Sequence, residues 1–139
     1  MTYKVIVEGR LEGLNEFIKA NRGKHGAELG NRMKQNGQRI CFMYLRKSLK
    51  NTKVREPVKL HYTFFEKDRR RDHDNVSGFF HKVFQDALVE AGYLANDGWK
   101  EISGYSDDFM VDSKRPRIEI LIEEVKDVRR MDKTKQADP

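Results

Sequence analysis

Residues 58–92 have the sequence VKLHYTFFEKDRRRDHDNVSGFFHKVFQDALVEAG, and this stretch decides the fold. Over residues 58–65 apolar and polar side chains alternate, which predicts a strand with one buried face. After a charged connection, apolar residues recur at helical spacing as far as about Ala91, and Gly92 is a natural helix terminator. A strand and a helix that each have one apolar face can bury those faces against each other. The stretch therefore predicts a sheet with a helix packed on it.

The rest of the chain is expected to complete this sheet. We predict strands at 2–8, 58–65, 99–104 and 117–125. Helices are predicted around 14–18, at 38–49 and from 75 to about 91. Several glycines and basic side chains weaken the helical pattern over 21–37. A polar, acidic loop is expected to join the last two strands.

The expected fold class is α/β (α+β), a small mixed β-sheet with helices packed on it. A length of 139 residues suits one domain, which we place at 1–125. Residues 126–139 are charged and contain no apolar cluster, so we expect a mobile C-terminal tail there.

Composition limits the classes of protein and partner. Lys and Arg outnumber Asp and Glu by 28 to 22, which gives a net charge of +6 and makes nucleic acid a plausible partner. The single cysteine, Cys41, excludes an intrachain disulfide framework and fits a reducing compartment. Its apolar neighbours predict a buried structural thiol. No apolar run approaches the ~20 residues of a membrane span, and the N-terminus lacks a hydrophobic signal core. We therefore expect a cytoplasmic protein without a membrane partner.

An acidic motif at residues 72–75 carries the chemistry. Asp72-His73-Asp74-Asn75 directly follows Arg69-Arg70-Arg71, and Asp97 comes after a glycine-containing turn at the far end of the predicted helix. Carboxylates are the ligands that Mg²⁺ prefers, and arginines bind phosphates. A helix N-terminus also favours the ionised form of a carboxylate. The motif therefore predicts a site that holds a divalent metal against a polyanion, provided that the fold returns Asp97 to it.

Simpler interpretations exist for each of these residues. Asp74 or Asn75 would serve as the helix cap, and Asp97 would serve as a turn residue in Asn96-Asp97-Gly98. The arginines at 69–71 would form a solvated loop.

The remaining polar residues of the helix also have structural interpretations. Lys82 precedes Asp86 by four residues, which allows an intrahelical ion pair. His73 and His81 lack a partner at zinc-like spacing, so solvent-facing or structural roles are expected for both.

Taken together, residues 69–97 resemble the RusA-type Holliday junction resolvases, which are small, dimeric, Mg²⁺-dependent endonucleases of bacteria and are often encoded by prophages. The matching elements, in chain order, are Arg69-Arg70-Arg71, Asp72-His73-Asp74-Asn75, Lys82, Asp86-Ala87-Leu88, Ala91-Gly92 and Asn96-Asp97. The strand at 117–125 agrees in type, and the N-terminal third agrees only loosely.

The resemblance implies a role for each matched residue. The family's metal-binding and catalytic aspartates fall on Asp72, Asp74 and Asp97, and its catalytic lysine falls on Lys82. Arg69, Arg70, Arg71 and Asn75 would bind DNA. One departure is that about four extra residues separate Asp74 from Lys82, which is roughly one helical turn or ~6 Å of rise. An irregular helix start at Ser77-Gly78 would shorten that gap.

The function implied is Mg²⁺-dependent cleavage of four-way DNA junctions by paired symmetric nicks, in recombination and repair. Mn²⁺ is a possible substitute, no small-molecule cofactor is expected, and the active form would be a RusA-like homodimer. One alternative is a flap or general structure-selective nuclease of a mobile element. Another is a non-catalytic nucleic-acid-binding module.

Overall fold

The structure is a computed structural model that describes residues 1–23 and 25–126. In chain order the elements are β1 (Thr2–Glu8), α1 (Leu14–Arg22), α2 (Gly26–Leu49), β2 (Val58–Glu66), α3 (His73–Glu90), β3 (Ile102–Val111) and β4 (Arg117–Glu124). Residues 127–139, most of the predicted C-terminal tail, lie outside the described residues.

The four strands form one mixed sheet in the order β1-β4-β2-β3. β4 is antiparallel to both β1 and β2, whereas β2 and β3 are parallel. Parallel neighbours need a crossover connection, and α3 provides it. This arrangement confirms the predicted α+β class, with a small mixed sheet in a single domain, and it leaves β3 at one edge.

The core lies between the sheet and the helices. The alternation in β2 buries Val58, Leu60, Tyr62 and Phe64 on the helix side. The Tyr62 ring meets Phe80 and Phe84 of α3 edge-on, with centroids 5.9 Å apart in both cases. These contacts are the predicted packing of the helix on the strand, which is confirmed.

Cys41 of α2 also belongs to this core. Its side chain is fully buried, and burial raises the pKa of the thiol. A thiol held in its neutral form inside the core is structural, as predicted.

The opposite face of the sheet is ionic. Several of its charged side chains are paired in a ladder that consists of Lys4–Glu119, Arg117–Glu119, Arg117–Asp112, Arg115–Glu8 and the hydrogen-bonded pair His61–Glu123. The guanidinium of Arg117 also lies 3.8 Å from the centroid of the Phe65 ring. None of the three helices in residues 1–23 and 25–126 packs there, so the described helices and the core lie on one side of the sheet.

The predicted acidic loop between the last two strands is wrong, because β3 runs through most of it. β3 pairs with β2 from residue 102 to 111. The helix-facing residues of β3 include Asp107. Its Oδ1 lies 2.8 Å from Nε2 of His81, which is hydrogen-bond distance. Because this inward-facing position holds a carboxylate, the alternation of apolar and polar residues that would identify the strand is interrupted there.

The predicted start of the second helix is also wrong, because α2 begins at Gly26 rather than near 38. Its glycines lie where neighbouring groups come close. A Cβ at Gly30 would collide with the amide of Asn21, and a Cβ at Gly37 would lie 3.3 Å from Val83. Close packing therefore outweighs the low helix propensity of glycine. No helix in the described residues has the length and apolarity that crossing a bilayer requires.

Candidate metal and nucleic-acid site

A cavity of about 800 Å³ lies where β2 and β3 end and α3 begins. We call it the acidic cavity; its polar lining consists of Glu66, Asp68, Arg69, Arg71, Asp72, His73 and Asp74. Phe109, Met110 and Val111 complete the wall. The carboxyl ends of parallel strands are the usual place for a ligand in sheets of this kind.

Asp72 and Asp74 lie together in the acidic cavity. α3 begins at His73, with Asp72 as the N-cap residue in extended conformation, so the prediction of Asp74 or Asn75 as cap is wrong. The Asp72 side chain makes no capping hydrogen bond. Both carboxylates are exposed, and within the described residues neither has a hydrogen-bond or ion-pair partner. They are therefore available to a cation.

Asn75 has a structural role that the sequence did not reveal. Its Oδ1 accepts a hydrogen bond of 2.7 Å from the backbone N–H of Asn15, in the first turn of α1. Asn75 thus satisfies one of the free N–H groups at the start of another helix. A Cβ at Gly13 would lie 2.5 Å from the same oxygen, so glycine is needed there. The side chain predicted to bind DNA is already engaged within the chain.

We expect Gly13→Ala to lower the free energy of unfolding by about 1–3 kcal/mol, because the added methyl must displace Asn75 and its cap of α1. Urea unfolding followed by circular dichroism measures the change. Gly104→Ala is the matched control, since a Cβ there meets nothing within 4 Å. Equal losses in the two variants would contradict the capping contact.

The three arginines of the motif are divided between the interior and the surface. The Arg71 side chain is only 11% exposed. Its Nε and Nη2 donate hydrogen bonds of 3.0 Å to the two carboxylate oxygens of Glu66, and its Nη1 donates to the Leu11 carbonyl. Arg71 is therefore a clamp that holds the connection before α3. Arg69 and Arg70 remain exposed, with Arg70 3.6 Å from Asp68.

Lys82 lies further along α3, on the protein surface. Its Nζ is 3.4 Å from the Asp86 carboxylate, which is the intrahelical pair. α3 is continuous from His73, so no irregular start shortens the gap. Eight residues of helix place Lys82 about 12 Å from Asp74 along the axis.

Asp97 lies at the other end of the molecule. It lines a second cavity of about 770 Å³, which we call the Trp99 cavity and whose walls include Pro57, Lys59 and residues 102–105. Pro57 and Lys59 mark the beginning of β2, whereas the acidic cavity lies at its end. The 18 residues of α3 span about 27 Å. The loop after α3 therefore does not return Asp97 to Asp72 and Asp74 within one chain.

Only two of the three predicted metal ligands converge. Within residues 1–23 and 25–126 no group of three His, Cys, Asp or Glu side chains could hold a metal ion. Two exposed carboxylates beside an open cavity nevertheless fit Mg²⁺, which is commonly bound by one or two carboxylates together with water and substrate phosphates.

Two histidines help to shape the site through their ring contacts. The His73 ring stacks on Phe109 with centroids 3.9 Å apart, which joins the start of α3 to β3. His81 bonds Asp107 and packs 4.7 Å from the Tyr62 ring. Both roles are structural, as predicted, but their partners on β3 could not be found from the sequence because the strand predicted at 99–104 ended before Asp107 and Phe109.

The chain matches no family model, and no curated protein matches it. The resemblance to the RusA-type resolvases thus depends on the motif in residues 69–97.

Proposed function

We propose that this protein is a Mg²⁺-dependent endodeoxyribonuclease that cleaves four-way DNA junctions by paired symmetric nicks, in the cytoplasm of a bacterial or phage-infected cell. The observation that carries the proposal is a pair of carboxylates, Asp72 and Asp74, that have no partner among the described residues and lie in a cavity rimmed by the exposed Arg69. The motif around them resembles that of the RusA-type resolvases. Recombination and repair would supply the substrate.

In this mechanism the residues in and near the acidic cavity have distinct roles. Asp72 and Asp74 hold the cation, and Arg69 and Arg70 bind and orient the phosphate backbone. The Arg71–Glu66 clamp and the His73–Phe109 stack fix the connection that presents the carboxylates. Lys82, which lies further along α3, contacts the phosphate backbone of the DNA. A bound Mg²⁺ would supply an activated water and offset negative charge on the phosphate.

A homodimer is part of the proposal, because resolving a junction takes two matched cuts and a twofold dimer provides two identical sites. The edge strand β3 is the surface that we assign to it. Among the described strands β3 pairs only with β2, and it exposes Tyr105, Met110 and Val111. A bare edge strand is a template for pairing with another chain. Antiparallel pairing of β3 with its copy would continue the sheet across the dimer.

This pairing would also reunite the three aspartates. The acidic cavity is lined by residues 109–111 at the end of β3, and the Trp99 cavity is lined by residues 102–105 at its beginning. Antiparallel twofold pairing sets the beginning of one strand against the end of the other. Asp97 of the partner subunit would then lie beside Asp72 and Asp74, and each site would be shared between two chains.

Cleavage of an end-labelled four-way junction tests the function. We expect paired nicks in Mg²⁺ and none in EDTA, since the negative charge of the phosphate must be offset by a cation for hydrolysis. Product mapping separates the alternatives, because a flap or general structure-selective nuclease would cut unpaired positions or other branched substrates. Junction binding without cleavage in either Mg²⁺ or Mn²⁺ would contradict the proposed nuclease activity. The protein would then be a non-catalytic nucleic-acid-binding module.

A further inference from the structure

The outer face of α2 carries cations that the cleavage site does not use. Between Glu28 and Glu56 the chain has eight Lys and Arg residues and no Asp or Glu. Four of them form what we call the basic row, which consists of Arg32, Arg39, Arg46 and Lys50. Its arginines follow at intervals of seven residues, which is two helical turns or about 10 Å.

The basic row faces away from the core. The buried side of α2 is formed by Gly26, Gly30, Gly37, Cys41, Leu45 and Leu49. At about 100° per residue, Arg32, Arg39 and Arg46 fall within an arc of about 40° opposite the buried side. Lys50 is the C-cap residue, one position beyond the last residue of the helix. All four are exposed. The row is therefore one continuous stripe about 27 Å long along the outside of the helix.

Within the described residues, a carboxylate pairs with one of the four cations of this stripe. Arg32 pairs with Glu28 at 2.8 Å. Within the described residues, Arg39, Arg46 and Lys50 have no carboxylate oxygen within 4.0 Å. On the uncovered sheet face, by contrast, Lys4, Arg115 and Arg117 are paired in the ionic ladder. The chain's excess positive charge is thus concentrated on α2.

Packing holds the stripe in place at its C-terminal end. The Arg46 guanidinium lies over the rings of Phe42 and Tyr93, at 5.3 and 5.5 Å from their centroids. The Tyr93 hydroxyl donates a hydrogen bond of 2.6 Å to the carbonyl of Lys50. Cations on a fixed helix lose less conformational entropy on binding than cations on a mobile loop.

We propose that the basic row of α2 binds the phosphate backbone of a duplex DNA arm. The substrate class is that of the proposed function, on which this inference rests. α2 packs beside α3, which carries Asp72 as its N-cap residue and Asp74 in its first turn. Adjacent helix axes lie about 8–10 Å apart, so an arm held on α2 lies close to the helix that presents the two carboxylates. Arg69 and Arg70 contact the DNA backbone at the cleavage point. The basic row contacts the DNA at a distance from that point.

The test compares two variants that lose the same net charge. One is Arg32→Gln, Arg39→Gln, Lys50→Gln, which spares the packed Arg46. The control is Lys4→Gln, Lys19→Gln, Arg115→Gln, whose residues lie on β1, on α1 and in the loop before β4. Binding of a labelled four-way junction is measured in EDTA between 50 and 200 mM salt, after circular dichroism has shown that both variants fold. Vesicles containing anionic phospholipid provide a second probe.

We expect the α2 variant to bind at least tenfold more weakly than the control at 150 mM salt. Its plot of log K against log salt should be shallower by about two to three units, because each phosphate contact contributes about 0.9. Equal effects in the two variants would overturn the proposal, as would vesicle binding that depends on the row while junction binding does not. If wild type binds junctions through the row but never cuts them, the nuclease fails and the α2 interface stands.

Discussion

Asp74→Asn is expected to cut junction DNA at least 100-fold more slowly than wild type while binding it equally well or better. Asn has the size of Asp and, in the first turn of α3, leaves the helix and the N-cap residue Asp72 in place. It removes one of two converging carboxylates, so affinity for Mg²⁺ should fall sharply. Losing an electrostatic stabiliser of this kind commonly costs two to three orders of magnitude in rate.

The measurements are nicking rate in Mg²⁺, junction affinity in EDTA and Mg²⁺ binding by calorimetry. Calorimetry reports on the metal site independently of activity. Glu90→Gln is the matched control, because Glu90 is an exposed carboxylate at the C-terminal end of α3, outside both cavities and away from β3, and carries the same charge. A wild-type rate for Asp74→Asn would show that Asp74 is not a ligand. Weak junction binding in EDTA would show that it supports the fold instead.

Two inactive variants, Asp74→Asn and Asp97→Asn, are expected to restore activity when their subunits are mixed. If the site is shared between two chains, a heterodimer contains one site with both substitutions and one with neither. Random pairing makes half of the dimers heterodimers, so nicking should recover to about a quarter of the wild-type level. The products should be single nicks rather than paired cuts, because each heterodimer has only one intact site.

Light scattering must first show a mass about twice the 16.4 kDa of one chain. Subunits are then exchanged by unfolding and refolding the mixture. Mixing Asp74→Asn with the double variant Asp74→Asn, Asp97→Asn provides the control, because no dimer in that mixture has an intact site. Full activity of Asp97→Asn alone would make Asp97 a turn residue. Two inactive variants that fail to complement would rule out the shared site.

Much of the fold could be predicted because it depends on local patterns. The alternation in β2 and the helical spacing in α3 each reflect which side of an element faces the core, and a single sequence records that directly. The same holds for Cys41, whose apolar neighbours predicted its burial. β3 was predicted to end at 104, short of its true end at 111, because Asp107 occupies an inward-facing position that its pairing with His81 makes tolerable. Pairing across elements leaves no local pattern.

The candidate site divides in the same way. The sequence alone determined that Asp72 and Asp74 lie together, because they are separated by one residue at the start of a helix. Tertiary structure decided the rest. Arg71 became an interior clamp because Glu66 lies within its reach, and Asn75 became the cap of α1 because Gly13 lets the two segments approach. Asp97 lies at the far end of α3, since a continuous helix of 18 residues carries the chain about 27 Å away. The spacing of residues along the sequence determines which side of a helix or strand each side chain faces. The distances between helices and strands are determined by packing.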